Sequence, residues 1–245
     1  MDKRRLTYMI LPFLSIFLAQ FITYWGNQQI AVMLGTVGID YSFILAKFND
    51  AVPFLAWTVY PYVGAFPFWI LTFFYVGYRS KDNLYKLLLM GLVTFGIFGT
   101  WYLIAQSDVQ AWRETSGLFV EGAQYTFTER FMQTVYAGAG PRNALPSMHC
   151  LMCWIAICGA RLDKKMPWGA KAFIWAMAFA VMISTQTTKQ HYIIDLLVAV
   201  AIGEIVFQII LRTKGWKKLE DAYSRLNAKM NLDWDGKLPE TAGSE

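Results

Sequence analysis

Long apolar runs separated by short polar stretches dominate the chain. Six of them approach the length that a helix needs to cross a bilayer. They lie at residues 6–25, 56–78, 87–105, 144–160, 167–185 and 192–211. The chain has two histidines, His149 and His191. The fourth and fifth runs are short at the ends that approach them, as expected of helix ends that line a polar cavity instead of touching lipid. The pattern predicts an all-α protein, a bundle of six transmembrane helices with short interfacial helices.

The composition agrees with a membrane protein. Hydrophobic residues make up 56% of the 245 residues and charged residues only 16%, which is too apolar for an ordinary soluble domain. The net charge of +5 would suggest nucleic acid binding in a soluble protein. Here the basic residues cluster between apolar runs, where topology explains them. We therefore expect the lipid bilayer as a partner and no nucleic acid. We expect one membrane domain over residues 1–215 and a cytoplasmic segment over 216–245.

The positions of lysine and arginine orient the bundle. If the N-terminus is inside, most of these residues fall on the cytoplasmic side, and cytoplasmic loops of membrane proteins carry an excess of lysine and arginine. The five that remain outside are Lys47, Arg113, Arg130, Arg142 and Lys189. This predicts a multi-pass protein of the cell membrane with both termini cytoplasmic and an extracytoplasmic-facing active site. A signal peptide over the first run is the alternative, but the run is long and no small-x-small cleavage site follows promptly.

Three stretches outside the runs have amphipathic character. Apolar residues recur every four positions over residues 119–135, which indicates an interfacial helix that serves either as a lid or as a plain connector. Residues 27–53 form a mixed outer loop, expected to be partly helical. In the tail, a cytoplasmic surface helix is predicted through Leu219, Ala222, Leu226 and Met230, and the polar end at 237–245 is predicted to be disordered.

Four polar or reactive residues lie inside the apolar runs without an evident chemical role. Cys150, Cys153 and Cys158 share the fourth run, where cysteines are more often small packing residues than a disulfide or a metal site. Glu204 lies nine residues past Asp195, on roughly the opposite face of the sixth helix. For Glu204 we expect a structural hydrogen bond to another span or a subunit contact, with a proton or substrate path as the alternative.

His191 and Asp195 form the first candidate for chemistry. They are spaced i and i+4 at the start of the sixth run, so the carboxylate can hold one ring nitrogen and leave the other free. This is the arrangement of an oriented nucleophile. The alternative is that Asp195 only pairs with a neighbouring helix, but an ionisable residue one turn inside a span is usually functional.

The second candidate is the start of the fourth run, Pro146-Ser147-Met148-His149. Proline suits the first turn of a helix and serine suits its cap, so free backbone amides are expected at this end. Such an end binds phosphate, and His149 in the first turn would protonate a leaving oxygen and later activate water. A capped helix with an uninvolved histidine explains the same residues.

Basic residues on the predicted outer side of the membrane are the third candidate. Arg113, Arg142 and Lys189 are suited to neutralising phosphate oxygens, although each alone is more often a surface charge. Lys189 differs because it lies at a helix start, where a cation opposes the helix dipole and calls for an anion nearby.

Taken together, the motifs resemble the type 2 phosphatidic acid phosphatase superfamily. Pro146-Ser147-Met148-His149 is similar to its Pro-Ser-Gly-His motif. The stretch from Ser184 through His191 to Asp195 matches the spacing of its Ser-Arg-x5-His-x3-Asp motif. The resemblance covers most of the chain and implies six spans with the site at one membrane face.

Two of the family's usual cations are replaced. In the first motif, Lys-x6-Arg-Pro, the chain has Gln106, Arg113 and Glu114, and the arginine of the third motif is Thr185. We expect Lys189 and Arg142 to substitute. The pattern from Asn143 to His149 is similar to the branch that includes inositol phosphorylceramide synthases, so Asn143 is included among the phosphate-binding candidates.

The resemblance implies a two-step reaction without metal or cofactor. His191, oriented by Asp195, would form a phosphohistidine while His149 acts as acid and then as base. Arg113, Lys189, Ser147, Arg142 and Asn143 would bind the phosphate. The implied function is phosphatase activity on a membrane lipid phosphate of the phosphatidate, phosphatidylglycerophosphate or polyprenyl (di)phosphate class. A lipid phosphotransferase is the alternative. A non-catalytic lipid-anion transporter is a second one, against which the lack of internal repeats argues.

Overall fold

The computed structural model describes residues 2–234, and in this part of the chain every regular element is helical. The all-α prediction is therefore confirmed. The elements are α1 (Lys3–Gln20), a π-helical turn (Phe21–Gly26), α2 (Asn27–Met33), α3 (Ala46–Ala51), a 3-10 turn (Ala56–Thr58), α4 (Val59–Arg79), α5 (Lys81–Ile104), α6 (Gln110–Glu114), α7 (Phe127–Ala139), α8 (Met148–Leu162), α9 (Trp168–Thr187), α10 (Ile193–Thr213) and α11 (Trp216–Lys229).

Within the described residues, five helical segments are long and apolar enough to cross a membrane. They are Lys3–Met33, Ala56–Arg79, Lys81–Ile104, Trp168–Thr187 and Ile193–Thr213. The fourth predicted span corresponds to α8, which has 15 residues and a length of roughly 22 Å. That is less than the hydrocarbon thickness of about 30 Å, so a sixth crossing stays a prediction.

The short α8 lies at the centre of the bundle. It packs against α4, α5, α9 and α10, and most of its residues are buried on all sides. Its three cysteines, Cys150, Cys153 and Cys158, are free thiols in the main hydrophobic core, as predicted for packing residues. A helix surrounded by other helices has little contact with lipid and does not need to match the bilayer in length.

The first membrane helix is longer than the predicted run of 6–25. Asp2 caps it by accepting a hydrogen bond from the Arg4 amide at 2.9 Å, and the helix continues through the π-helical turn to Met33. Asn27 donates to the Gly99 carbonyl at 2.7 Å, which joins this extension to α5. A Cβ on Gly99 would lie 2.9 Å from the Thr23 Cβ, so only glycine allows the two helices to approach this closely.

Glu204 connects α10 to α8. Its carboxylate accepts from both terminal nitrogens of Arg161, at 2.6 and 2.9 Å, and from Trp154 Nε1 at 3.1 Å. The structural interpretation of Glu204, a hydrogen bond to another helix, is confirmed.

The tail helix α11 packs on the ends of α1 and α5. Lys81 pairs with Glu220 at 3.2 Å, and Tyr8 lies 3.0 Å from Ser224 Oγ. Trp216 is buried at its start. The polar end at 237–245, predicted to be disordered, lies outside the described residues.

The amphipathic segment over 119–135 is helical only in its second half. Residues 115–126 form turns, and α7 begins at Phe127 with a capping box in which Thr126 and Glu129 satisfy each other's backbone amides. The cap at Thr126 explains why the helix does not extend back to Phe119, although the apolar pattern begins there. Phe119 instead stacks on Tyr136 of α7, with ring centroids 5.6 Å apart.

Candidate active site

The two histidines of the chain lie next to each other at one end of the bundle. His149 is in the first turn of α8, and His191 is in the turn between α9 and α10. Their ring centroids are 6.3 Å apart. Both rings can therefore contact one tetrahedral group placed between them.

His191 is held at a single ring nitrogen. Nδ1 lies 2.9 Å from the carbonyl oxygen of Ala144 and 3.2 Å from Oδ2 of Asp195. Both partners accept hydrogen bonds, so the proton belongs on Nδ1 and the lone pair on Nε2. Nε2 makes no hydrogen bond to any described residue. The ring is oriented as a nucleophile requires, and its Ala144 contact had no signal in the sequence.

The pair with Asp195 forms differently from the prediction. His191 precedes α10, which begins at Ile193, so the two residues do not share a helical face. Asp195 lies in the first turn and its Oδ2 accepts from the Tyr192 amide at 2.9 Å as well as from His191. The carboxylate therefore holds the helix start and the ring together.

The starts of α8 and α10 meet at this point. The Ser147 amide donates to the Asp195 carbonyl at 3.1 Å. Ser147 is the N-cap of α8, as predicted, and its Oγ accepts from the Cys150 amide at 3.3 Å. Pro146 comes before the cap instead of within the first turn. Two helix N-termini thus bring their positive dipole ends to the histidines.

His149 lies within a group of aromatic side chains. Tyr62 stacks on its ring with centroids 4.3 Å apart, and Trp69 and Phe66 contact its edges at 5.0 and 5.8 Å. Its Nε2 is buried without a hydrogen-bond partner. The ring borders a cavity of about 190 Å³ that is also walled by Val135, Gly138 and Ala139 near or in the last turns of α7. None of these aromatic neighbours was predicted.

Arg113 is buried beside the turn that carries His191. Its guanidinium donates to the Tyr136 carbonyl at 3.3 Å and to Oε1 of Gln190, and it lies 4.9 Å from the Tyr136 ring centroid. Burial lowers the pKa of Arg113. Gln190 immediately precedes His191 and was not identified from the sequence, because a single glutamine has no distinguishing pattern.

Lys189 points to the other side of the same turn. It has a left-handed backbone, with φ of 54°, and its ammonium donates to the Val52 carbonyl at 2.6 Å. The ammonium also lies 3.6 Å from the Trp112 ring centroid. Burial lowers the pKa of Lys189, and the negative charge of Asp50 offsets only part of this shift. These contacts anchor the turn, and a role in phosphate binding stays a prediction.

Asn143 is buried, and its side-chain oxygen and nitrogen both have hydrogen-bond partners. Its Oδ1 accepts from Gln106 Nε2 at 2.7 Å, and its Nδ2 donates to the Tyr24 carbonyl at 2.6 Å. Gln106 Oε1 in turn accepts from the Asn143 amide at 2.8 Å. Its side chain joins three segments, with Gln106 paired to it where the family has lysine, and a role for Asn143 in phosphate binding stays a prediction.

Thr185, which replaces the family's arginine, and Arg142, a proposed substitute cation, remain to be placed. Thr185 is fully buried and its hydroxyl donates to the Met182 carbonyl at 2.7 Å. Arg142 is half-buried, its backbone bridges to Asp108, and its side chain forms no hydrogen bond or ion pair with the described residues. Of the two proposed substitute cations, Arg142 alone has an uncommitted side chain.

Several buried polar atoms near the histidines lack a partner. They include His149 Nε2, Arg113 Nε, Gln190 Nε2 and Asp195 Oδ1. Buried polar atoms are normally hydrogen-bonded, and their concentration here is typical of a site that binds a polar group. Over residues 2–234, no group of three or more His, Cys, Asp or Glu side chains is placed to hold a metal ion.

Comparison with known families agrees with the motifs. Residues 28–209 match the family model of the PAP2 superfamily. The chain belongs to the PAP2 superfamily. The match begins in α2 and ends within α10, so it includes both histidines, Asp195 and Arg113. No curated protein and no solved structure matches the chain. Membership in the PAP2 superfamily supports an enzyme of the general phosphatase or phosphotransferase type.

Proposed function

We propose that the protein is a membrane lipid-phosphate phosphatase in which His191 forms a phosphohistidine intermediate. The observation that carries the proposal is the orientation of His191. Its Nδ1 is held by Ala144 and Asp195, while its ring lies 6.3 Å from that of His149. A nucleophile with a fixed tautomer next to a second histidine is suited to phosphoryl transfer.

In the first step, the Nε2 lone pair of His191 forms a bond to phosphorus as the bond to the leaving oxygen breaks. His149 donates a proton to that oxygen. The positive charge that develops on His191 is stabilised by the Asp195 carboxylate, whose Oδ2 lies 3.2 Å from Nδ1.

In the second step, water attacks phosphorus and the nitrogen–phosphorus bond breaks. His149, now neutral, accepts the proton of the water. The Nε2 lone pair returns to His191, and inorganic phosphate leaves. The aromatic side chains around His149 exclude bulk water and strengthen the electrostatic interactions in the site.

The phosphate oxygens are held by Arg113 and by the amides at the start of α8. Ser147 Oγ accepts from the Cys150 amide, which leaves its hydroxyl proton for the substrate. Arg142, whose side chain is uncommitted, and Lys189 are the further cations proposed here. The substrate is a lipid phosphate of the phosphatidate, phosphatidylglycerophosphate or polyprenyl (di)phosphate class, and the reaction needs no metal.

A lipid phosphotransferase of the inositol phosphorylceramide synthase type is the second candidate. Gln106 and Thr185 leave the site with fewer cations than the family pattern, and the cavity beside His149 has aromatic walls that include Tyr24, Trp25 and Tyr62. Such walls suit an acceptor alcohol. In this reaction, the acceptor hydroxyl takes the place of water in the second step.

Phosphate release from lipid phosphates by the purified protein tests the proposal. The parent should release phosphate, and His191→Ala and His149→Ala should each lose at least about 10³-fold in rate. Added headgroup alcohols separate transfer from hydrolysis. Binding of lipid phosphate without release by the parent would overturn the enzyme assignment in favour of a transporter. Loss of activity in chelator and recovery with a divalent ion would overturn the metal-free mechanism.

A further inference from the structure

A narrow apolar groove continues from the His149 cavity into the bundle. It lies between α1, α4 and α8 and shares Gln20, Phe66 and Trp69 with the wall of that cavity. Beyond these three residues its walls are almost wholly apolar, with Thr72 as the further polar side chain. The groove is therefore contiguous with the His149 cavity at these three residues.

From the proposed function and this continuity, we propose that the groove binds one hydrocarbon chain of the lipid phosphate substrate. The chain passes beside Phe66 and Trp69, whose rings contact each other, and runs along α4 away from His149. Gln20, at the junction of cavity and groove, lies where the lipid's polar linkage between phosphate and chain would be. The groove makes Ile70 a specificity-determining residue for chain length.

The groove and the His149 cavity together span about the depth of one leaflet. Along α4 the cavity begins at Tyr62 and the groove ends at Phe73, a distance of roughly 16 Å. Half of the hydrocarbon thickness of a bilayer is about 15 Å. The enclosed volume of about 70 Å³ has room for only a few methylene groups, so the groove takes one segment of a single chain, and the rest of that chain lies along its open side.

The groove is open to lipid on its side. Phe17 is 52% exposed, Phe66 is 46% exposed and Ile70 is 40% exposed on the outer surface of the bundle. A chain can therefore enter laterally from the bilayer between α1 and α4 without leaving an apolar environment, while the phosphate moves to the histidines.

A second apolar groove on the other side of α4 is larger, at about 560 Å³, and is lined by residues of α9 such as Ala170 and Phe173. It shares no lining residue with the His149 cavity. Continuity with the reacting centre decides between the two grooves, because a chain bonded to the phosphate must begin at the histidines.

Two adjacent positions on α4 provide a matched test. Ile70 lines the proposed groove, and Leu71 lines the second one. Both are exposed at the surface, so a tryptophan at either position is tolerated in the bundle. Phosphate release is measured for parent, Ile70→Trp and Leu71→Trp on a long-chain lipid phosphate and on a short-chain, water-soluble one with the same headgroup.

We expect Ile70→Trp to lower kcat/KM for the long-chain substrate by about tenfold or more, the loss expected from displacing roughly two methylenes from an apolar site. Its activity on the short-chain substrate should stay at the parental level. Leu71→Trp should leave both activities unchanged. Equal behaviour of the two variants, or a selective loss in Leu71→Trp, overturns the groove assignment while the phosphatase assignment stands. No release by the parent from either substrate overturns the proposed function instead.

Photocrosslinking keeps the test independent of folding in the variants. A lipid phosphate with a photoreactive diazirine at the end of its chain is bound to the parent protein, and labelled peptides are identified. Labelling of residues 13–17 or of Ile70, none of which lines the second groove, supports the proposal. Labelling confined to residues 170–177 places the chain in the second groove and overturns the proposal.

Discussion

The carbonyl oxygen of Ala144 lies 2.9 Å from Nδ1 of His191, nearer than the Asp195 carboxylate at 3.2 Å. A main-chain acceptor thus fixes the tautomer of the proposed nucleophile, and the carboxylate adds charge. Because the backbone cannot be removed by a side-chain substitution, the orientation of His191 is partly protected from mutation of its acidic partner.

Asp195→Asn should therefore retain measurable activity. In serine proteases, where the carboxylate alone fixes the tautomer, the equivalent change costs about 10⁴-fold. Here Ala144 preserves the tautomer and only the stabilisation of positive charge on His191 is lost, so we expect a decrease of about 10²-fold in kcat. The decrease is measured by steady-state phosphate release. A loss as complete as that of His191→Ala would contradict the role assigned to Ala144.

Arg113 and Gln190 should act as a coupled pair. Gln190→Ala removes the acceptor of the Arg113 side chain next to His191 and should lower kcat/KM by about tenfold. Arg113→Ala should cost about 10²-fold or more, because the cation proposed to bind phosphate is lost as well. In the double variant we expect a non-additive effect of about 1–2 kcal/mol. Fully additive losses would show that the contact does not position Arg113.

Asn143 should matter for stability more than for chemistry. Asn143→Ala removes hydrogen bonds to Gln106 and Tyr24 in a buried site and should lower the free energy of unfolding by about 3 kcal/mol. Part of that loss comes from the left-handed backbone at φ of 57°. Asn143→Gly is the matched variant that relieves the backbone and isolates the side-chain effect. The measurement is thermal unfolding in detergent.

Restoring the family's lysine should not restore a phosphate ligand. Gln106→Lys introduces a buried cation that cannot reproduce the paired bonds with Asn143, so we expect lower thermal stability and no gain in phosphate release. An increase in kcat/KM would mean that the side chain at position 106 reaches the substrate, in conflict with the observed pairing.

Acid should weaken the connection between α4 and the α8–α9 loop. Partial burial of Asp163 raises the pKa of its carboxyl, but hydrogen bonds from the Arg79 side chain and the Lys165 amide, with the Arg79 charge, outweigh it and lower the pKa below its usual value. A depressed pKa stabilises the fold above the ordinary carboxyl pKa of about 4, and this contribution is lost as the pH falls through the lowered value. Thermal midpoints measured from neutral to acid pH should fall less steeply for Asp163→Asn than for the parent. Parallel curves would rule out a contribution from this pair.

Local patterns were sufficient for the helical class and for much of the candidate site. Apolar runs located the membrane helices because each crossing of the bilayer core needs about 20 apolar residues. Ser147 marked the start of α8 because a cap bonds within its own first turn. The spacing of His191 and Asp195 predicted their contact, although His191 lies before the helix. A carboxylate four residues away reaches the ring whether the histidine lies in the helix or in the turn before it.

Longer-range partners came from packing. The Ala144 carbonyl at His191, the Gln190 contact of Arg113 and the aromatic side chains around His149 join residues that are far apart in the chain. Their types are common, so no pattern distinguishes them. The central position of α8 and the use of Asn143 as a connector follow from the same cause. Periodicity and spacing act within a few residues, whereas the neighbours of a buried polar group are chosen by how whole helices pack.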